Sequence, residues 1–99
     1  MKESVVAKAY ANAIYDLGKS QAVDVVGDLT KLQEVINASN HLENVLFLEV
    51  FTNEEKKAVI IAILEKLKTT NLVKNFIQYL TDEKRMSLFP LVFKEIIVR

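Results

Sequence analysis

Residues able to do chemistry are sparse in this chain of 99 residues. The single histidine, His41, has no second histidine and no cysteine to work with. That excludes a His–His metal pair and a Cys–His nucleophile, and His41 reads as a surface or capping residue. Glu54 and Glu55 are adjacent carboxylates, yet Thr52-Asn53-Glu54-Glu55 already has a structural meaning. Thr52 as N-cap and Glu55 three positions on form a capping box, with both acids at the positive end of a helix dipole. Asp82 and Glu83 beside Lys84 and Arg85 read as a solvated turn. Two glycines, Gly18 and Gly27, cannot make a phosphate-cradling loop of the P-loop or dinucleotide type. The residues therefore point to no catalytic centre, no metal and no cofactor.

What must position any binding surface is then a scaffold of helices. Apolar residues make up 51% of the chain, enough to build one core in one domain spanning residues 1–99. With two glycines and one proline there is too little turn chemistry for a sheet protein, so the expected fold is all-α. Lysine plus arginine number 13, as do aspartate plus glutamate, so no basic excess marks a nucleic-acid binder. The longest apolar run, Ala58 to Leu64, is far short of the roughly 20 residues that span a bilayer. The N-terminal residues lack the continuous apolar stretch of a signal peptide. The expectation is a protein with no direct membrane insertion.

Six helices are expected. In the first, about 4 to 19, Ser4 is the N-cap candidate and Gly18 a place for the helix to fray or stop. Val6, Ala9, Tyr10, Ala13, Ile14 and Leu17 follow at helical spacing, with alanines at 7, 9, 11 and 13. The second, about 22 to 38, carries Val26, Leu29, Leu32 (or Val25), Val35 and Ile36, with Gly27 inside it for close helix packing. The third runs from His41 to Leu48 with Leu42, Val45 and Leu46 buried, followed by an apolar connector, Glu49-Val50-Phe51. The fourth starts at the capping box, with Phe51 able to meet Lys56 or Ala58, and runs to about Lys68. Its middle is apolar all round, which predicts a central position in the bundle. Asn71 is expected to cap the fifth, about 72 to 82. Ser87 is expected to cap the sixth, with Pro90 at its third position and Leu91, Val92, Ile96 and Ile97 on its apolar face.

The surplus is apolar. The fifth helix carries one stripe of Val73, Phe76, Ile77 and Leu80 and a neighbouring one of Leu72, Asn75 and Tyr79. The first helix also has two adjacent stripes, where a surface helix needs one. Either both helices lie deep in the core, or the second stripes line a groove for a partner's amphipathic helix. Val6, Ala9 and Ala13 favour the groove, because small side chains leave a shallow trough.

Three segments carry a resemblance. Val6-Ala7-Lys8-Ala9-Tyr10-Ala11-Asn12-Ala13-Ile14-Tyr15 resembles the opening segment of the delta subunit of F-type ATP synthases, whose mitochondrial relative is the oligomycin-sensitivity-conferring protein. Phe51-Thr52-Asn53-Glu54-Glu55-Lys56-Lys57 is similar to the start of that family's fourth helix. Asn75-Phe76-Ile77-Gln78-Tyr79-Leu80, followed by Arg85-Met86-Ser87-Leu88-Phe89-Pro90, is similar to a third run. The matches keep the family's order and span nearly the whole chain.

The resemblance implies a compact six-helix bundle, the N-terminal domain of a non-catalytic stator subunit. Such a domain sits on the F1 head and holds the N-terminal helix of an alpha subunit between its first and fifth helices. Carried over by position, the groove would comprise Val6, Ala9, Tyr10, Ala13 and Leu17 with Leu72, Asn75, Phe76 and Tyr79. The b subunit of the peripheral stalk would be reached through the family's C-terminal part, which this chain is expected to lack. The location implied is peripheral, on the cytoplasmic face of the bacterial inner membrane as part of F1Fo. One departure concerns the turn after the fifth helix. There the family has a glycine and this chain has Asp82-Glu83-Lys84-Arg85, so the turn is expected to be rebuilt to avoid a positive φ at Lys84. The alternatives are a helical RNA-binding domain of the antitermination-factor type and a generic helical adaptor that self-associates.

Overall fold

The computed structural model describes residues 3–48 and 50–98. It contains α1 (Glu3–Gln21), α2 (Val25–Asn37), α3 (Asn40–Phe47), α4 (Asn53–Leu67), α5 (Asn71–Asp82), a 3₁₀ turn at Met86–Leu88 and α6 (Phe89–Ile97). The fold is an all-α bundle of six helices, and no strand occurs among the described residues.

The core is built from one stripe of each helix. Ala7, Ala11 and Ile14 of α1 meet Leu29, Leu32 and Ile36 of α2, Ile60 and Leu64 of α4, Val73, Ile77 and Leu80 of α5, and Phe89, Val92 and Ile96 of α6. α2 is the central helix and packs against every other one, while α1 lies mainly on α6 and α4 mainly on α5. This corrects the expectation that α4 is central. Only Ile60, Leu64 and the stem of Lys56 are buried on α4, while Ala58 and Ala62 face solvent. Alanine is the best helix former and loses little by exposure, so an apolar run rich in alanine does not require cover on all sides.

Helix starts follow local chemistry where the capping side chain is close in sequence. Thr52 Oγ1 accepts from Glu55 N at 3.1 Å and Glu55 Oε1 accepts from Thr52 N at 2.8 Å, completing the capping box. Phe51 and Lys56 line one small depression beside it. Ser39 caps α3, and Asp24 caps α2 by accepting from Gly27 N at 3.0 Å. α2 therefore begins at Val25, not near 22. Gly27 makes room for the Asp24 carboxylate, not for a neighbouring helix.

Other expectations are corrected by the packing. Ser4 lies inside α1, so it is not a cap. Gly18 does not stop α1 but is buried within it, where a Cβ would run into the Val25 side chain and lie 3.2 Å from Val23 O. Leu42 is only half-buried, and Ile97 is exposed. Glu49 of the connector lies outside the described residues, and Val50 is 79% exposed. Thr70, not Asn71, sits at the N-cap of α5. Ser87 lies within the 3₁₀ turn and caps nothing, and Pro90 is the second residue of α6.

Three helices end with the same closure. Val23 N donates to Gly18 O, Thr69 N to Leu64 O, and Arg85 N to Leu80 O, each a six-residue return characteristic of a left-handed terminal residue. The residues that turn left-handed are Ala22 (φ 57°), Lys68 (φ 57°) and Lys84 (φ 60°). The turn after α5 is therefore not rebuilt. Lys84 adopts the positive φ that glycine would take, and the two hydrogen bonds of the closure hold it there.

Candidate functional site

α1 and α5 meet over a short stretch only. Beside that contact lies an open apolar groove of about 360 Å³. α1 supplies Tyr10, Ala13, Ile14 and Leu17, spaced at three and four residues so that they share one face. α5 supplies Leu72, Asn75, Phe76 and Tyr79 by the same spacing. The core stripes of the two helices, through Ala7, Ala11 and Gly18 and through Val73, Ile77 and Leu80, are turned roughly a quarter-circle away. Each helix thus feeds the core and the groove with adjacent faces, which on α1 overlap at Ile14.

Two large apolar side chains remain half in solvent at the rims: Leu17 is 47% exposed and Tyr79 is 49% exposed. Ala13 is exposed at the centre of one wall, and its small side chain is what leaves the trough open. Tyr10 organises one end. Its ring meets Phe76 edge-on with centroids 6.3 Å apart and Tyr79 edge-on at 6.1 Å. Its hydroxyl accepts a hydrogen bond from Arg85 Nη1 at 2.6 Å, and the guanidinium also lies 5.9 Å from the ring centroid. Tyr10 is half-buried, with its hydroxyl at the rim. That hydroxyl raises the pKa of Tyr79 above its ordinary 10.0, with the Tyr10 and Glu83 charges adding to the effect. The same hydroxyl raises the pKa of Arg85.

Of the nine residues expected here, seven line this groove: Tyr10, Ala13, Leu17, Leu72, Asn75, Phe76 and Tyr79. Val6 does not. It lies one turn beyond Tyr10, in a second depression with Glu3, Lys84, Arg85, Ser87 and Leu88. Ala9 is exposed and lines neither, because at 100° per residue it is turned about 90° from the centre of the groove stripe. Ile14 was not among the expected residues. It forms the floor where groove and core stripes overlap, a position its spacing from Tyr10 and Leu17 could have signalled.

Among the described residues no three His, Asp or Glu side chains come together to hold a metal. The groove's walls are almost wholly carbon, so its chemistry is that of apolar burial. It has two walls, one from α1 and one from α5.

The sequence model of the ATP synthase delta (OSCP) subunit matches residues 6–99. The chain belongs to this family. It is 37% identical over 91 residues to an ATP synthase subunit delta of Desulfovibrio desulfuricans, an alignment covering 88% of this chain and 50% of the relative. It is 33% identical over 88 residues to that of Lawsonia intracellularis, covering 85% and 47%. It is 30% identical over 93 residues to that of Rhizobium meliloti, covering 92% and 50%. The chain thus spans about half the length of the curated relatives it matches. The family is that of a non-catalytic ATP synthase subunit, not of the antitermination-factor type. No helix among the described residues is long and apolar enough to cross a membrane.

Proposed function

We propose that this chain is the domain of an ATP synthase stator that grips the F1 head, holding the amphipathic N-terminal helix of an alpha subunit in the α1–α5 groove. The observation that carries the reading is the groove itself: two helices of the bundle leave an apolar trough between faces that, Ile14 apart, lie outside the fully buried core. Its occupant would be held by Tyr10, Ala13, Ile14 and Leu17 on one side and Leu72, Asn75, Phe76 and Tyr79 on the other. Removing apolar area from water stabilises such a complex by about 25 cal/mol per Å², less the ordering of the free peptide.

A stator resists torque and performs no catalysis, which suits a site without reactive groups. On this reading contact with the b subunits of the peripheral stalk falls to another part of the subunit, since the chain matches about half of the relatives' length. On this reading the protein is peripheral, on the cytoplasmic face of a bacterial inner membrane within F1Fo. Titration of the alpha N-terminal peptide into this domain, followed by NMR, is the test. Shifts confined to the α1 and α5 groove residues are expected; no shifts, or shifts on another face, would refute the assignment.

A further inference from the structure

The groove does not end in solvent at Tyr10. Glu3, Val6, Tyr10 and Leu17 lie on one face of α1, so the line of the groove continues past Tyr10 into the second depression. Tyr10 lines the first space and Arg85, which donates to its hydroxyl, lines the second. From Leu17 to Val6 is about 16 Å along the axis, the length of three helical turns.

The two ends of this line differ in charge. The groove is lined almost wholly by carbon, whereas the second depression is lined by Val6 and Leu88 together with the cations Lys84 and Arg85. Arg85 is exposed and spends one N–H on Tyr10, leaving donors of its guanidinium for a visitor. Glu3 and Glu83 bring negative charge to the neighbourhood, but among the described residues the only ion pair is Lys57–Asp82, so neither carboxylate closes on Arg85 or Lys84. Lys84 is held at this edge by its left-handed backbone in the closure of α5.

We propose that Arg85, assisted by Lys84, takes the carboxylate of an acidic residue at one end of the bound helix's apolar stripe, and so fixes the direction in which that helix lies. This rests on the groove reading above. A guanidinium fork offers paired N–H groups to a carboxylate, while apolar contacts alone read a stripe nearly equally well in both directions.

The test uses four synthetic amphipathic peptides of one composition. They share a leucine stripe, with a single Glu at the first or the last turn, and each has a Gln counterpart. One acidic peptide is expected to bind about fivefold tighter than its Gln counterpart. That advantage should vanish in Arg85→Gln and persist in Tyr10→Phe, which loses the internal hydrogen bond but keeps the guanidinium. A purely structural Arg85 would instead weaken acid and amide peptides alike in Arg85→Gln, and that result overturns the proposal. Equal binding of all four peptides, still abolished by Ala13→Asp, overturns the acidic anchor and leaves the groove reading standing. Absence of binding by all four and by the alpha N-terminal peptide overturns both.

Discussion

Asp28 of α2 and Thr70 at the start of α5 are joined by two hydrogen bonds across 42 residues of sequence. One carboxylate oxygen accepts from Thr70 N at 2.9 Å and from Thr70 Oγ1 at 3.0 Å. The buried Asp28 side chain thus caps a helix to which it does not belong, at the end where the helix dipole favours a negative charge. It sets the start of α5, and hence the heights of Leu72 and Phe76 on the groove wall. Asp28→Ala leaves two part-buried donors unsatisfied and is expected to destabilise the domain by about 1–3 kcal/mol. Urea unfolding followed by circular dichroism measures it; a midpoint unchanged from the parent protein would mean water replaces the carboxylate without loss.

The two glycines have opposite roles and should respond oppositely. Gly18→Ala places a methyl against the buried Val25 side chain and near Val23 O, which is held by accepting from Val25 N. Overpacking of this kind costs about 1–3 kcal/mol, more than the gain of about 1 kcal/mol in helix propensity. At Gly27 the methyl meets the end of the exposed Asp24 side chain. Loss of that cap and gain in propensity are each about 1 kcal/mol, so Gly27→Ala should be nearly neutral. Thermal melts of both variants decide it, and equal shifts would disprove the distinction.

Lys84 and Lys68 hold left-handed conformations without the benefit of glycine. Relief of that strain, partly offset by the larger entropy of an unfolded glycine, gives an expected gain of about 0.5–1 kcal/mol for Lys84→Gly. Differential scanning calorimetry reads the gain directly. A lower Tm would show that the lysine stem contributes packing that outweighs the strain.

Ala13→Asp puts a carboxylate at the centre of one groove wall while leaving the core untouched. The substitution costs only about 0.5–0.7 kcal/mol of helix propensity, so the domain should stay folded. An apolar helix laid over it would bury an unpaired charge, and affinity for the alpha N-terminal peptide should fall by about a hundredfold or more. Isothermal calorimetry checks this, and an affinity equal to the parent's would remove Ala13 from the binding surface.

Tyr79 ionises above 10.0 chiefly because of the Tyr10 hydroxyl next to it. A tyrosine whose pKa is raised by folding contributes stability that is present below the unfolded value and is lost as pH rises through the folded one. The protein should therefore weaken as pH climbs past 10. Tyr10→Phe removes the dominant cause, and a spectrophotometric titration should show Tyr79 returning toward its ordinary value. No change on substitution would point to another origin.

Local signals were legible and distant ones were not. The capping box at Thr52 and Glu55 could be read because donor and acceptor are three residues apart. The cap on α5 could not, since its carboxylate comes from Asp28. Most of the groove stripe was legible because Tyr10, Ala13 and Leu17, like Leu72, Asn75, Phe76 and Tyr79, recur at helical spacing. Spacing alone does not say where a stripe rotates out of line or passes a boundary, which is why Ala9 and Val6 fall elsewhere. The all-round apolar run of α4 misled because exposed alanines count as apolar in a sequence but need no cover in a fold.

α5 is fastened at both ends. Asp28 grips its first turn, and at the other end the Arg85 return to Leu80, the Arg85–Tyr10 bond and the Lys57–Asp82 pair at 2.9 Å tie it down. A rod clamped at two supports bends far less under a sideways push than one anchored at a single point. Whatever drags on a helix seated against this wall is met by α1, α2 and α4 together, so strain spreads through the scaffold before it can peel one segment away.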